Sequence, residues 1–276
     1  MKKISQVIGW SFLTILLLFG SQLITTLLLN LFPLKDASRQ ILYTIIFLVL
    51  VVVFSKSVYK FILKEPLLFG EKLVVKRSVK WIIIGMSLPL LLNVVTILVS
   101  SGSWFKNTQP EVIYFFSSTI FGLAISAGVG EEILYRGFLF NYVKKTFGLV
   151  AAVLIPSIIF ALSHVFNGKL DFSSFLMLII AGTSVGIMFS MIRIYTNSIW
   201  YGVIVHTLWD LLAATSPNNF LVIGPNPTIS DSFYSYKLSD SSLFLFGGDY
   251  GIETSIIAIM IYLSVSLILF VKIKKY

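Results

Sequence analysis

The chain has no cysteine, only two histidines and little charge: Asp, Glu, Lys and Arg make up 12% of its 276 residues, against about 25% in an ordinary soluble domain. Without cysteine, a disulfide framework, a thiolate nucleophile and a thiolate metal site are excluded. Acids are scarcest, 12 against 21 basic residues, for a net charge of +9. What fills the space is apolar: 57% of the residues are hydrophobic and the mean hydropathy is +0.93. A soluble chain of this length has no interior large enough for that much apolar surface. Disorder, a nucleic-acid-binding arm and a typical soluble enzyme are therefore excluded, and an integral membrane protein remains. Its chemistry must come from carboxylates, histidines, hydroxyls or amines. The positive charge has a source other than nucleic acid, because basic residues gather in cytoplasmic loops and beside anionic lipid. Membrane lipid is the expected partner, and no nucleic acid.

Apolar runs of about 20 residues mark spanning helices. Eight are expected, at residues 7–32, 41–54, 81–100, 112 onward into a polar motif at 131, 149–166, 172–192, 199–214 and 252–271. The fold class is all-α, a polytopic membrane protein forming one membrane domain over 1–276. The Met-Lys-Lys start resembles a signal peptide, but the apolar run is long and no small-residue cleavage site follows, so a retained helix is expected. Residues 56–80, basic and patchily apolar, are expected on the membrane surface. The polar stretch 216–250 reads as an outer connector or lid. With the N-terminus inside, cytoplasmic segments hold 16 Lys and Arg and outer segments 5, a bias that places both termini in the cytoplasm. The chain is rich in Ile, Lys, Phe and Asn, and the expected location is the plasma membrane of a bacterium, as a multi-pass protein.

Ionisable residues within spans are costly and mark function by default. Glu131 and Glu132 lie in the string SAGVGEEILYRGFLF. The helical pattern continues to Val143, about 18 Å away at about 1.5 Å per residue, which puts both glutamates below the surface. Glu132 and Arg136 are i and i+4 and share a face, so they pair structurally. Glu131 points about 100° away and is not Arg136's main partner. A carboxylate without a dedicated cation in a low-dielectric site suits general acid–base chemistry. His164 ends the run PSIIFALSH, and His206 sits in SIWYGVIVHTLWD with Asp210 on the same face. The depths of the two histidines, about 22 Å and about 11 Å from their inner helix ends, allow both to meet Glu131. Gly122, Ser126 and Gly130, and likewise Gly182 and Gly186, are four apart and read as helix-packing devices. Phe160 reads as core, and Pro156 is expected to bend the fifth helix.

Glu131-Glu132-x-x-x-Arg136, Phe160-x-x-x-His164 and His206-x-x-x-Asp210, in that order on separate helices, resemble the CPBP family of CAAX proteases and bacteriocin-processing (Abi) proteins. The resemblance covers approximately residues 112–215, the catalytic motif core. It implies an intramembrane endopeptidase that cuts a membrane-associated protein or small peptide near the cytoplasmic side. It implies that Glu131 and His164 activate a water, that His206 and Asp210 stabilise the oxyanion, and that Glu132 and Arg136 support them. The family's metal is disputed. A metal-free glutamate mechanism is expected here, and if zinc is bound the candidate ligands are Glu131, His164, His206 and Asp210.

Asp210 stands where Asn is the common alternative. An amide donates a hydrogen bond to an oxyanion, whereas an ionised carboxylate repels it. Either Asp210 is protonated or it orients His206, which is then the donor. An aspartate is also a better zinc ligand than an asparagine. Two other functions compete. One is a non-catalytic scaffold or bacteriocin-immunity protein that binds a peptide or partner. The other is a small transporter or proton relay, against which stands the lack of an inverted repeat and of interrupted helix pairs.

Overall fold

Long apolar runs without internal charge satisfy their backbone groups only as helices once water is excluded. The computed structural model describes residues 2–106, 112–215, 219–225, 232–239 and 242–274. Seven helices in it are long and apolar enough to cross a membrane. Helix α1 spans Lys2–Leu29. Helix α2 spans Asp36–Val58 and continues through a π-helical turn, Tyr59–Leu63. Helix α3 is Val75–Val99, and α4 runs unbroken for 36 residues over Val112–Phe147. Helix α5, Leu149–Ser163, continues through Pro156 and ends in a 3₁₀ turn that starts at His164. Helix α6 is Phe172–Thr196 and α8 is Ile256–Ile273.

The remaining expected span is shorter than its apolar run. Helix α7, Trp200–Leu212, has 13 residues, about 20 Å at about 1.5 Å each, against a hydrocarbon core of about 30 Å. It packs along α3 and is flanked by α4 and α6. Around this centre, α5 lies along α6 and α6 along α8. The small-residue stripes make these approaches possible. A Cβ on Gly186 would stand 2.7 Å from the Ser157 backbone, and one on Gly182 would stand 2.8 Å from the Ala161 side chain. Outward faces carry exposed apolar rows such as Ile8, Phe12 and Leu16 on α1 and Leu263, Leu267 and Phe270 on α8.

The structure adds detail to two connecting segments. Of residues 56–80, expected on the membrane surface, only 64–74 lie outside the long helices. Helix α2 extends through Leu63, α3 begins at Val75, and residues 64–74 strap down the α6–α7 turn. In that strap Gly70 bridges Ser198, the Glu71 amide donates to the Asn197 carbonyl and the Ile199 amide to the Phe69 carbonyl. The outer stretch 216–250 is more than a connector, because it contributes strands to a three-stranded sheet of order β1-β3-β2. Strand β1 is Gly102–Lys106, β2 is Leu221–Gly224 and β3 is Tyr234–Leu238. β3 runs antiparallel to β1, with Trp104 opposite Tyr236, and parallel to β2. Residues 216–218, 226–231, 240 and 241 of this stretch, and Lys275 of the basic C-terminus, lie outside the described residues.

The elements sort into two ends. At one, the 64–74 strap meets the α6–α7 turn, Asn141 of α4 donates to the Leu68 carbonyl, and Lys145 pairs with Glu65. Ile273 of α8 joins Lys76, Arg77 and Lys80 of α3 around a cavity at that end. At the other end lie the sheet, the α5–α6 connection and the turns that lead into α8. There the Asp171 carboxylate caps α6 by accepting from the Ser174 amide at 2.6 Å. That bond holds the Asp171 carboxyl below its ordinary range.

Candidate active site

The site is built where α4 widens. Two stretches of α4 are π-helical, Ser118–Ile125 and Glu132–Leu139, and such turns shift the register of the side chains that follow. At the start of the second stretch Glu131 and Glu132 point to different neighbours. Glu132 and Arg136, both with side chains 0% exposed, form an ion pair at 3.0 Å. The Arg136 guanidinium lies between two rings, 4.7 Å from the centre of Phe160 and 5.1 Å from that of Phe189. It also donates to the Gly186 carbonyl at 3.1 Å. Phe160, placed in the core by the sequence, therefore also covers this cation.

Glu131 faces the histidines. Its Oε2 is 3.9 Å from His164 Nε2 and 3.9 Å from His206 Nε2. Glu131 Oε2 is buried and has no hydrogen-bond partner among the described residues. Each imidazole is held by its other nitrogen. His164 Nδ1 lies 2.8 Å from the Phe160 carbonyl. A carbonyl only accepts, so Nδ1 carries the proton, and in the neutral ring Nε2 keeps its lone pair toward Glu131. His206 Nδ1 lies 3.2 Å from Glu132 Oε1, and its ring stacks on Phe189 with centroids 4.6 Å apart.

Asp210 is 3.7 Å from His206 Nε2. It thus lies on the same side of the ring as Glu131, while the carboxylate on Nδ1 is Glu132. Glycine makes that contact possible, since a Cβ on Gly202 would stand 2.8 Å from Glu132 Oε2. Behind the motifs, the Tyr135 hydroxyl donates to Ser163 Oγ at 2.8 Å, and Ser163 donates to the same Phe160 carbonyl that holds His164. Among the described residues, no group of three or more His, Asp or Glu side chains is arranged to hold a metal ion. That holds for the conditional zinc candidates Glu131, His164, His206 and Asp210 as they are placed here, and no step below runs through a metal.

Glu131, His164, His206 and Asp210 line one cavity of about 410 Å³, together with Lys169, Thr215, Tyr250 and Glu253. A second cavity of about 190 Å³ between α1, α2 and α4, lined by Leu18, Phe19, Tyr43 and Phe47, also reaches Glu131 and His164. Glu131 and His164 therefore stand where two cavities meet, the second of which also has Gln22, Ser126 and Ser163 in its wall. The sequence reading missed Glu253. Thr215 donates to its Oε1 at 2.5 Å, and burial raises its pKa. Its signal was faint, an acid at the very start of the last expected span, 252–271, and outside every motif.

Residues 113–212 match the family model described as type II CAAX prenyl endopeptidase Rce1-like. Comparison with curated proteins and with solved structures gives no match. The matched segment takes in Glu131, His164, His206 and Asp210 and agrees with the CPBP resemblance. It supports intramembrane endopeptidase activity in general.

Proposed function

We propose that this multi-pass protein, which carries an Rce1-like type II CAAX prenyl endopeptidase domain at residues 113–212, hydrolyses a peptide bond of a membrane-associated protein or small peptide with a water activated by Glu131 and His164. The observation that carries this reading is the buried Glu131 Oε2, 3.9 Å from both imidazole Nε2 atoms at the junction of two cavities. That separation is too long for a direct hydrogen bond. It suits one water oxygen about 2.8 Å from each group.

In the reaction, water gives one proton to Glu131 while its other hydrogen bonds to the bare Nε2 of His164. The water oxygen forms a bond to the carbonyl carbon, and negative charge develops on the carbonyl oxygen. His206, oriented by Glu132 and protonated on both nitrogens, donates to that oxygen from Nε2, and Asp210 as the neutral acid donates beside it. The tetrahedral intermediate then collapses. The C–N bond breaks and the proton held by Glu131 passes to the departing amine.

The test compares wild type and Glu131→Gln at matched expression, reading membrane and secreted peptides by mass spectrometry and metal content on the same purified protein. Cleavage products confined to wild type, with a rate loss of about 10²–10⁴ in the variant, are expected for removal of a general base. Identical peptide sets would transfer the reading to a binding or bacteriocin-immunity role. One zinc per chain would move the activated water onto a metal.

A further inference from the structure

We propose that the site opens to the extracytoplasmic side of the membrane, so that its substrates are peptides or protein segments displayed on that face. This rests on the hydrolytic reading above and adds the direction of access. It reverses the cytoplasmic access that the family resemblance implies.

Two independent observations meet here. The first is where the polar chamber opens. Its lining comes from chain ends that gather at one end of the bundle: Gly168, Lys169 and Leu170 after α5, Thr215 after α7, and Tyr250 and Glu253 before α8. Bonds between these segments fix that end as one unit. The Asp171 amide donates to Asp249, the Asp249 amide donates to Ser174, and Thr215 donates to Glu253. The three-stranded sheet lies at the same end, since β1 follows α3 directly and pairs with β3 of the α7–α8 connection.

The second observation is the distribution of positive charge once the helices are assembled. The opposite end gathers Lys56, Lys60 and Lys64 at the close of α2, and Lys72, Lys76, Arg77 and Lys80 around the start of α3. It also gathers Lys144 and Lys145 at the close of α4 and Lys272 at the close of α8. Arg136, which the sequence assigned to the cytoplasmic set, is buried in its ion pair and carries no topological information. Removing it leaves the bias large. Among the described residues, the end that bears the chamber holds only Lys35, Arg39, Lys106, Lys169 and Lys237. Short loops rich in Lys and Arg stay in the cytoplasm, so the basic end is inside and the chamber faces out. A protease facing that way meets chains that are translocated or already inserted.

The chain contains no cysteine, so single-cysteine variants report topology without background. Lys169→Cys, at the chamber mouth, and Lys144→Cys, at the basic end, are expressed in cells and treated with a membrane-impermeant maleimide. Both lysines are exposed, and Lys237→Cys and Lys76→Cys provide a second exposed pair in case either variant folds poorly. The expected result is labelling of Lys169→Cys and Lys237→Cys in intact cells, with Lys144→Cys and Lys76→Cys labelled only after permeabilisation. Labelling of the chamber-end pair only after permeabilisation, or of both pairs in intact cells, overturns the proposal. The two readings fail separately. Reversed labelling with cleavage still dependent on Glu131 overturns the direction alone. The expected labelling with no cleavage dependent on Glu131 overturns the hydrolytic function and leaves the orientation standing.

Discussion

Removing the cation from the buried Glu132–Arg136 pair is expected to cost most of the protein's stability, and removing both charges together to restore it. At the 3.0 Å N–O separation and an effective dielectric of about 20, Coulomb's law gives about 5 kcal/mol of attraction. Breaking one side of a buried pair costs about 3–5 kcal/mol, because the other charge is left uncompensated. The sandwich of the guanidinium between Phe160 and Phe189 adds about 1–2 kcal/mol. Arg136→Met should therefore lose about 4–7 kcal/mol, comparable with the whole stability of many domains. The double variant Glu132→Leu with Arg136→Met buries no charge and fills similar volume, so most of that loss should return. It should remain inactive, because His206 Nδ1 has lost the carboxylate that orients it. Thermal unfolding in detergent, followed by tryptophan fluorescence, measures the stability, and peptide cleavage measures activity in the same samples. Arg136→Met within about 1 kcal/mol of wild type, or a double variant less stable than the single, would refute the charged-pair argument.

Gly202→Ala should lower activity more than stability: its methyl reaches the space of Glu132 Oε2 and displaces the group that holds His206, which comparison of cleavage rate with melting temperature will show. Asp210→Asn should retain activity because an amide donates to the oxyanion at any pH. Asp210→Ala should lose about 10²–10³ in turnover, the cost of one oxyanion donor, and equal rates for the two variants would remove Asp210 from that role. Burial raises the folded-state pKa of Glu253 above its ordinary 4.5, so its contribution to stability is fully present below about 4.5 and is lost as pH rises through the folded value. Glu253→Gln, which still accepts from Thr215, should flatten the melting temperature over that window, and unchanged curvature in a pH series of melts would disprove the assignment.

What could be read from the sequence follows the range of the forces involved. Helices α1 to α6 and α8 were legible because an apolar run long enough to span a membrane is a local signal. The limits of α7 were not, because the apolar run at 199–214 continues past the point where the chain turns at Ala213. The sheet was hidden because it joins Gly102–Lys106 to Tyr234–Leu238, segments whose pairing no local pattern encodes. Glu253 was missed for an energetic reason. An acid near the end of a span is cheap when solvated, and only its half-buried place in the chamber wall marks it as unusual.

The orientation of His206 shows the same limit within the site. The sequence offered Asp210, four residues along the same helix, and that geometry does bring it within 3.7 Å of Nε2. The closer contact, at 3.2 Å, comes across the bundle from Glu132, and Glu132 already balances Arg136 one turn away. One carboxylate thus neutralises a buried cation and orients an imidazole, with Gly202 admitting it to the α7 backbone. The paired glutamates divide the chemistry because adjacent helical positions point in different directions. Glu132 is committed to structure by two partners, which leaves Glu131 Oε2 without a hydrogen-bond partner among the described residues, as the proposed role of general base requires.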